Sequence, residues 1–165
     1  MKDNIGNLKM EPISKSERLL FSFLEFRFFW NGPNGNAIPL LQGNPEWLAL
    51  LAVTPYVLAS LVHVRNFGGV KYFIREGDEV VGAVLLKVHQ DTFSVRSLAV
   101  SPAKRKRSVG FFILVQAEKL ARQMKLPWLE VEVLRGNVSA QRLYWKFGFK
   151  IYAEGRLTVV LRKQV

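Results

Sequence analysis

Residues 131–149 read VEVLRGNVSAQRLYWKFGF, a segment that runs from a strand into a helix and on to a helix stop. Glu130 and Glu132 fall on one face of the strand Trp128 to Leu134 by its period of two, with Leu129, Val131 and Val133 on the other. Asn137 stands at the mouth of a helix running from about Ser139 to Phe147. Gly148 follows as the residue best suited to the left-handed conformation in which helices end.

Upstream, Lys125-Leu126-Pro127 separates that strand from Val109 to Met124, where Ile113, Ala117, Leu120, Ala121 and Met124 recur at helical spacing. Ser101-Pro102 closes an earlier strand, Thr92 to Val100. A strand, a helix and a strand in succession imply a parallel pair, because the helix carries the chain back to the starting edge. Lys71 to Arg75 and Glu79 to His89 add two strands, joined by tight turns at Glu76-Gly77-Asp78 and Gln90-Asp91 and therefore antiparallel. Downstream, Phe149 to Glu154 and Leu157 to Lys163 form a last pair around Gly155. The expected class is α+β: a mixed, mostly antiparallel sheet with helices on both faces.

The first 69 residues read as a strand at Gly6 to Ile13, then a Leu- and Phe-rich helix capped by Ser14 or Ser16 and reaching about Trp30. Asn31 to Asn44 is a loop crowded with Gly, Pro and Asn. Trp47 to Val64 carries no formal charge over 18 residues, the lower limit for a membrane span. Asn44-Pro45 and Thr54-Pro55 divide it, each a cap residue followed by proline at the first helical position. Two short buried helices, Pro45 to Val53 and Pro55 to Arg65, are expected in place of a span.

A chain of 165 residues that is 49% apolar fills one core and is expected to be a single domain. The absence of cysteine excludes a disulfide framework, thiolate metal sites and a Cys nucleophile. Met1 to Met10 lacks the apolar run of a secretory signal, so a cytoplasmic location is expected. The net charge of +11 is unevenly placed: residues 1–100 hold 10 basic and 9 acidic side chains, residues 101–165 hold 14 and 4. Its densest run is Lys104-Arg105-Lys106-Arg107, between a strand and a helix, where an anion is favoured; a solvated basic loop is the plainer reading. That field, with Trp128, Tyr144, Trp145 and Tyr152, also suits a nucleic-acid binder, but no nucleic-acid motif accompanies it and periodicity assigns most of the aromatic residues to the core.

Two stretches carry a family resemblance. Ser97 to Gly110 (SLAVSPAKRKRSVG) resembles the strand, basic loop and helix of the GNAT superfamily of acyl-CoA N-acyltransferases, with its pattern R/Q-x-x-G-x-G/A. Val131 to Phe149 is similar to its pattern N-x-x-A-x-x-L-Y-x-x-x-G-F at Asn137, Ala140, Leu143, Tyr144, Gly148 and Phe149. The resemblance covers Val70 to Lys163 well and residues 1–69 by the order of their elements. It implies that 70–165 form an acyl-CoA-binding core and that 1–69 supply an N-terminal strand and acceptor-side helices.

What it implies for chemistry is acetyl transfer from acetyl-CoA to an amine. The turn Arg105, Lys106, Arg107, Ser108, Val109, Gly110 would cradle the phosphates, since consecutive amides at a helix start bind oxyanions. Ser108 stands at the usual first glycine position, where it would cap the helix, offer its hydroxyl to phosphate or weaken binding. The strand through Leu98, Ala99 and Val100 would part from Val131 to Val133 and admit the pantetheine arm as a further strand, with a backbone amide near Leu98 polarising the thioester carbonyl. Tyr144 matches the family's general acid, and Asn137 its pantetheine contact or else a simple turn residue. For the base, Glu132 is the better placed of Glu130 and Glu132, with His63 and His89 as further options. No metal is expected. A GNAT-like domain that binds acyl-CoA with weak or lost catalysis is the alternative, on the grounds of Ser108 and of a strand Thr92 to Val100 without a carboxylate. The acceptor is expected to have an apolar body, because the first helix and Trp47 to Val64 are unusually apolar; a homodimer interface is the competing use of that surface.

Overall fold

The computed structural model describes residues 7–18, 20–24 and 69–165. The expected loop at 31–44, the helices at 45–53 and 55–65, the end of the first helix and His63 lie outside the described residues. Seven strands form one sheet in the order β1-β2-β3-β4-β5-β7-β6. They are β1 (Leu8–Pro12), β2 (Val70–Glu76), β3 (Glu79–His89), β4 (Thr92–Val100), β5 (Trp128–Leu134), β6 (Lys150–Glu154) and β7 (Thr158–Gln164). Helix α1 (Val109–Gln123) crosses from β4 to β5, and α2 (Val138–Phe147) joins β5 to β6. Every pairing is antiparallel except β4 with β5, as the crossover requires.

The two faces of the sheet bury different residues. Ile74, Val84, Phe93, Val95, Leu129, Val131 and Leu161 pack under α1 and α2 against Phe112, Ile113, Ala117, Tyr144 and Phe147, a single apolar cluster. On the opposite face Phe73 and Ala83 meet Phe21, whose ring stacks on Phe73 at 5.7 Å. Residues 20–24 are helical there. Ser14 rather than Ser16 starts that turn: the Glu17 carboxylate accepts from the Ser14 backbone N–H at 2.9 Å, as in one half of a capping box, and also from its hydroxyl at 2.8 Å. No helix among the described residues is long and apolar enough to cross a membrane.

Element boundaries follow local chemistry. Helix α2 begins one residue earlier than the periodicity suggests, because Asn137 caps it: Oδ1 accepts from Ala140 N–H at 3.0 Å. Gly148 ends it at φ +98°, and the Phe149 amide closes back on the Tyr144 carbonyl at 3.0 Å.

Candidate active site

The β4 and β5 strands run side by side only from Thr92 and Trp128 to Val95 and Val131. Beyond that point both continue, each held by its other neighbour: Ser97 to Val100 pair with β3, and Glu132 to Leu134 with β7. The separation starts at Arg96, which has no partner on β3 because the register slips between Leu85 and Leu86. A bulge bends and twists its strand, so this one residue steers the end of β4 away from β5. The facing edges of 97–100 and 132–134 thus have no strand between them, which is the opening that the resemblance to GNAT enzymes implied.

Leu98 to Val100 and Glu132 lie on the diverging strand ends themselves. Ala99 is buried, while Leu98 and Val100 lean on the cluster beneath α1. Their side chains are core residues, and only their backbones face the opening. The Val100 carbonyl accepts from Arg105 Nε at 3.3 Å, so Arg105 folds back on the strand it follows. Burial pulls its guanidinium pKa below the usual arginine range. Lys106 and Arg107 are exposed.

Ser108 sits at the α1 N-cap position with φ +62°, the left-handed region. This is the physical reason for glycine at that position in the pattern: a Cβ there costs on the order of 1 kcal/mol. Its hydroxyl makes no capping hydrogen bond, so the expected side-chain cap does not form. The first amide bonded back within the turn is that of Phe112, to Ser108 O at 2.8 Å; the amides of Val109, Gly110 and Phe111 precede it and have no acceptor within α1 itself, as at any helix start. At Gly110 a Cβ would stand 2.9 Å from Leu143 Cδ2, the far end of a side chain on α2 that would have to shift.

Tyr144 is buried on the helix side of the sheet, its ring edge-on to Phe149 at 5.7 Å. Burial pushes its phenol up to about 12, since the phenolate would lose its hydration. The group is therefore a neutral hydrogen-bond donor at physiological pH. Glu132 lies on the other face, because Leu129, Val131 and Val133 occupy the helix side of β5. It is half-exposed, paired with Arg96 at 3.2 Å and accepting from the Thr158 hydroxyl at 2.9 Å. Glu130 is more enclosed and is held by Arg162 at 2.8 Å and Ser94 at 3.4 Å. Sequence reasoning did not single out Arg96 as the bulged residue beside both carboxylates; as the lone charge within Thr92 to Val100, it was the available signal. His89 ends β3 opposite Thr92, at the closed end of the β4/β5 pair, which separates it from the fork. Asn137 Oδ1 serves as the α2 cap.

A mixed sheet whose one parallel pair divides ahead of a helix start is the arrangement that the resemblance to acyltransferases implied. The sequence matches the model of the acetyltransferase (GNAT) family over residues 45–149, and the chain belongs to that family. Among solved structures it is similar to the PaiA N-acetyltransferase of Thermoplasma acidophilum in complex with coenzyme A, with 17% identity and a TM-score of 0.72 over 96% of this chain and 99% of that one. An acetyltransferase of Thermus thermophilus gives 16% identity and a TM-score of 0.70 over 98% and 99% of the two chains. A GNAT family acetyltransferase of Elizabethkingia anophelis with acetyl-CoA bound gives 15% and 0.60 over 97% and 99%. No curated protein matches the sequence.

Proposed function

We propose that this chain is an N-acetyltransferase that moves the acetyl group of acetyl-CoA directly to a primary amine of a small molecule or peptide. The observation that carries the reading is the fork itself: strand pairing stops at Val95 and Val131 while both strands continue. Coenzyme A or acetyl-CoA occupies the similar Thermoplasma and Elizabethkingia proteins, which supports acetyl-CoA as donor here.

In this reading the amides of Val109, Gly110 and Phe111, with Lys106 and Arg107, receive the phosphates. The backbone of Leu98 to Val100 receives the pantetheine arm as an added strand, and an amide near Leu98 polarises the thioester carbonyl. The amine attacks that carbonyl, forming a C–N bond as the C–S bond breaks; Glu132 takes the ammonium proton directly or through water, and the sulfur leaves as thiolate. Tyr144 donates to the leaving sulfur. A phenol at about 12 does not hand its proton freely to a thiolate of pKa ~8.5, so Tyr144 acts mainly by hydrogen-bonding the developing charge.

The acceptor proposed is an amine with an apolar body or an anionic group. The net charge of +10 over residues 101–165 repels polycations. Thiol release from acetyl-CoA across an amine panel tests both levels. Turnover is expected with apolar or anionic amines ahead of spermidine and basic peptides. Robust turnover of spermidine alone contradicts the acceptor class. Coenzyme A binding without thiol release from any amine supports the second reading, an acyl-CoA-binding protein of weak catalysis, which the strained Ser108 at a glycine position favours.

A further inference from the structure

The four basic residues that precede α1 are not equivalent. Lys104 ends the short 3-10 turn Pro102–Lys104 and is engaged by the β2–β3 hairpin. Its Nζ lies 2.7 Å from Glu76 Oε2 and 3.0 Å from Glu79 Oε2, and only 19% of its side chain is exposed. Both glutamates belong to the β2–β3 hairpin, whose tip reads Glu76-Gly77-Asp78-Glu79. The tip therefore holds two carboxylates against Lys104, the residue just before the turn that the functional reading assigns to phosphates. Hydrogen bonds from Lys104 hold the Glu76 carboxyl below the usual range, and the charge of Arg107 acts in the same direction, so this carboxylate lies within electrostatic reach of the turn. The same two carboxylates raise the Lys104 ammonium.

We propose that Lys104 is a positioning residue that neutralises the acidic tip of the β2–β3 hairpin, so that Lys106, Arg107 and the α1 amides meet a polyphosphate without opposing charge. The proposal rests on the reading of Arg105 to Gly110 as the phosphate turn. It separates the basic run into one residue that screens and two exposed residues that attract. Unscreened, two carboxylates at this range would repel the multiply charged coenzyme A and cancel part of the attraction of Lys106 and Arg107.

The test is coenzyme A titration calorimetry at about 50 and about 500 mM salt, a range over which exposed charges pass from felt to screened. Lys104→Met is expected to weaken binding by roughly three- to tenfold at low salt and by less at high salt. Glu76→Gln with Glu79→Gln, Lys104 intact, is expected to tighten binding by about threefold at low salt, because the amides still accept from Lys104 while their charge is gone. A mere structural tie predicts the opposite sign for that double variant, since weakening either partner would loosen the turn. The glutamine variant also answers the question if Lys104→Met fails to fold. Unchanged or weaker binding by it, with wild type binding normally, overturns the proposal alone. Wild-type protein that binds no coenzyme A overturns the phosphate-turn reading, and the proposal falls with it.

Discussion

The two helices of the described core start in opposite ways. Helix α2 is capped by its own sequence: Asn137 bonds the Ala140 amide, and Gly148 closes the far end in the conformation glycine adopts most easily. Helix α1 has Ser108 in the left-handed region, no side-chain cap and three amides ahead of its first bond, from Phe112 to Ser108. The first start is satisfied from within and fixes Tyr144 in place. The second is strained and unsatisfied, a condition that folding alone disfavours and an anionic ligand would relieve. In the proposed function the difference separates a start that serves as architecture from one that would receive the ligand.

That contrast is open to attack by substitution. The largest effect is expected at Tyr144: Tyr144→Phe should lower kcat by about 10²-fold, the low end for a proton donor because the phenol is held at about 12, and leave coenzyme A affinity nearly unchanged. Steady-state kinetics beside calorimetry reads both; a loss confined to affinity would move Tyr144 from chemistry to binding. The same phenol makes alkaline stability a second readout. Its folded value lies above the unfolded value of about 10, so the contribution is complete below pH 10 and is lost as pH rises through 12, on the order of 3 kcal/mol at most. Urea melts across that window should show the loss in wild type and a shallower one in Tyr144→Phe.

At the capped start, Asn137→Ala should cost about 1 kcal/mol of stability by thermal or urea melting. An equal cost in coenzyme A binding, with stability untouched, would make Asn137 a ligand contact and break the contrast. At the strained start, Ser108→Gly should stabilise the protein by somewhat under 1 kcal/mol and keep or tighten coenzyme A binding, as calorimetry and melting would show. Destabilisation by that change would mean that the Ser108 hydroxyl carries a bond absent from this structure.

How far the sequence alone reached differs between these regions for the same reason. The segment 131–149 was legible because its signals are local: alternation in β5, an Asn at a helix mouth, a Gly at a helix end. The boundaries moved by a residue where a cap decided them, as at Val138. The turn at 105–110 was legible as a basic loop, but not in how its charges divide, because Lys104 is claimed by a hairpin 28 residues away and Arg105 by the Val100 carbonyl. That Gly110 also faces Leu143 Cδ2 on the other helix was out of reach, because the contact is set by tertiary packing. The position of the fork depends on the slip at Arg96, and a bulge of one residue leaves little trace in a run of alternating side chains.

Both the catalytic reading and the contrast between the helix starts require acyl-CoA to lie in the fork and on the open start of α1. Amide hydrogen exchange, resolved by residue with and without saturating acetyl-CoA, asks this of the backbone directly. Added protection is predicted at Val109, Gly110 and Phe111 and at Leu98 and Val100, whose amides alternate away from β3, with the α2 amides near Asn137 little changed. Protection elsewhere, with those five amides exchanging as in the free protein, would contradict it.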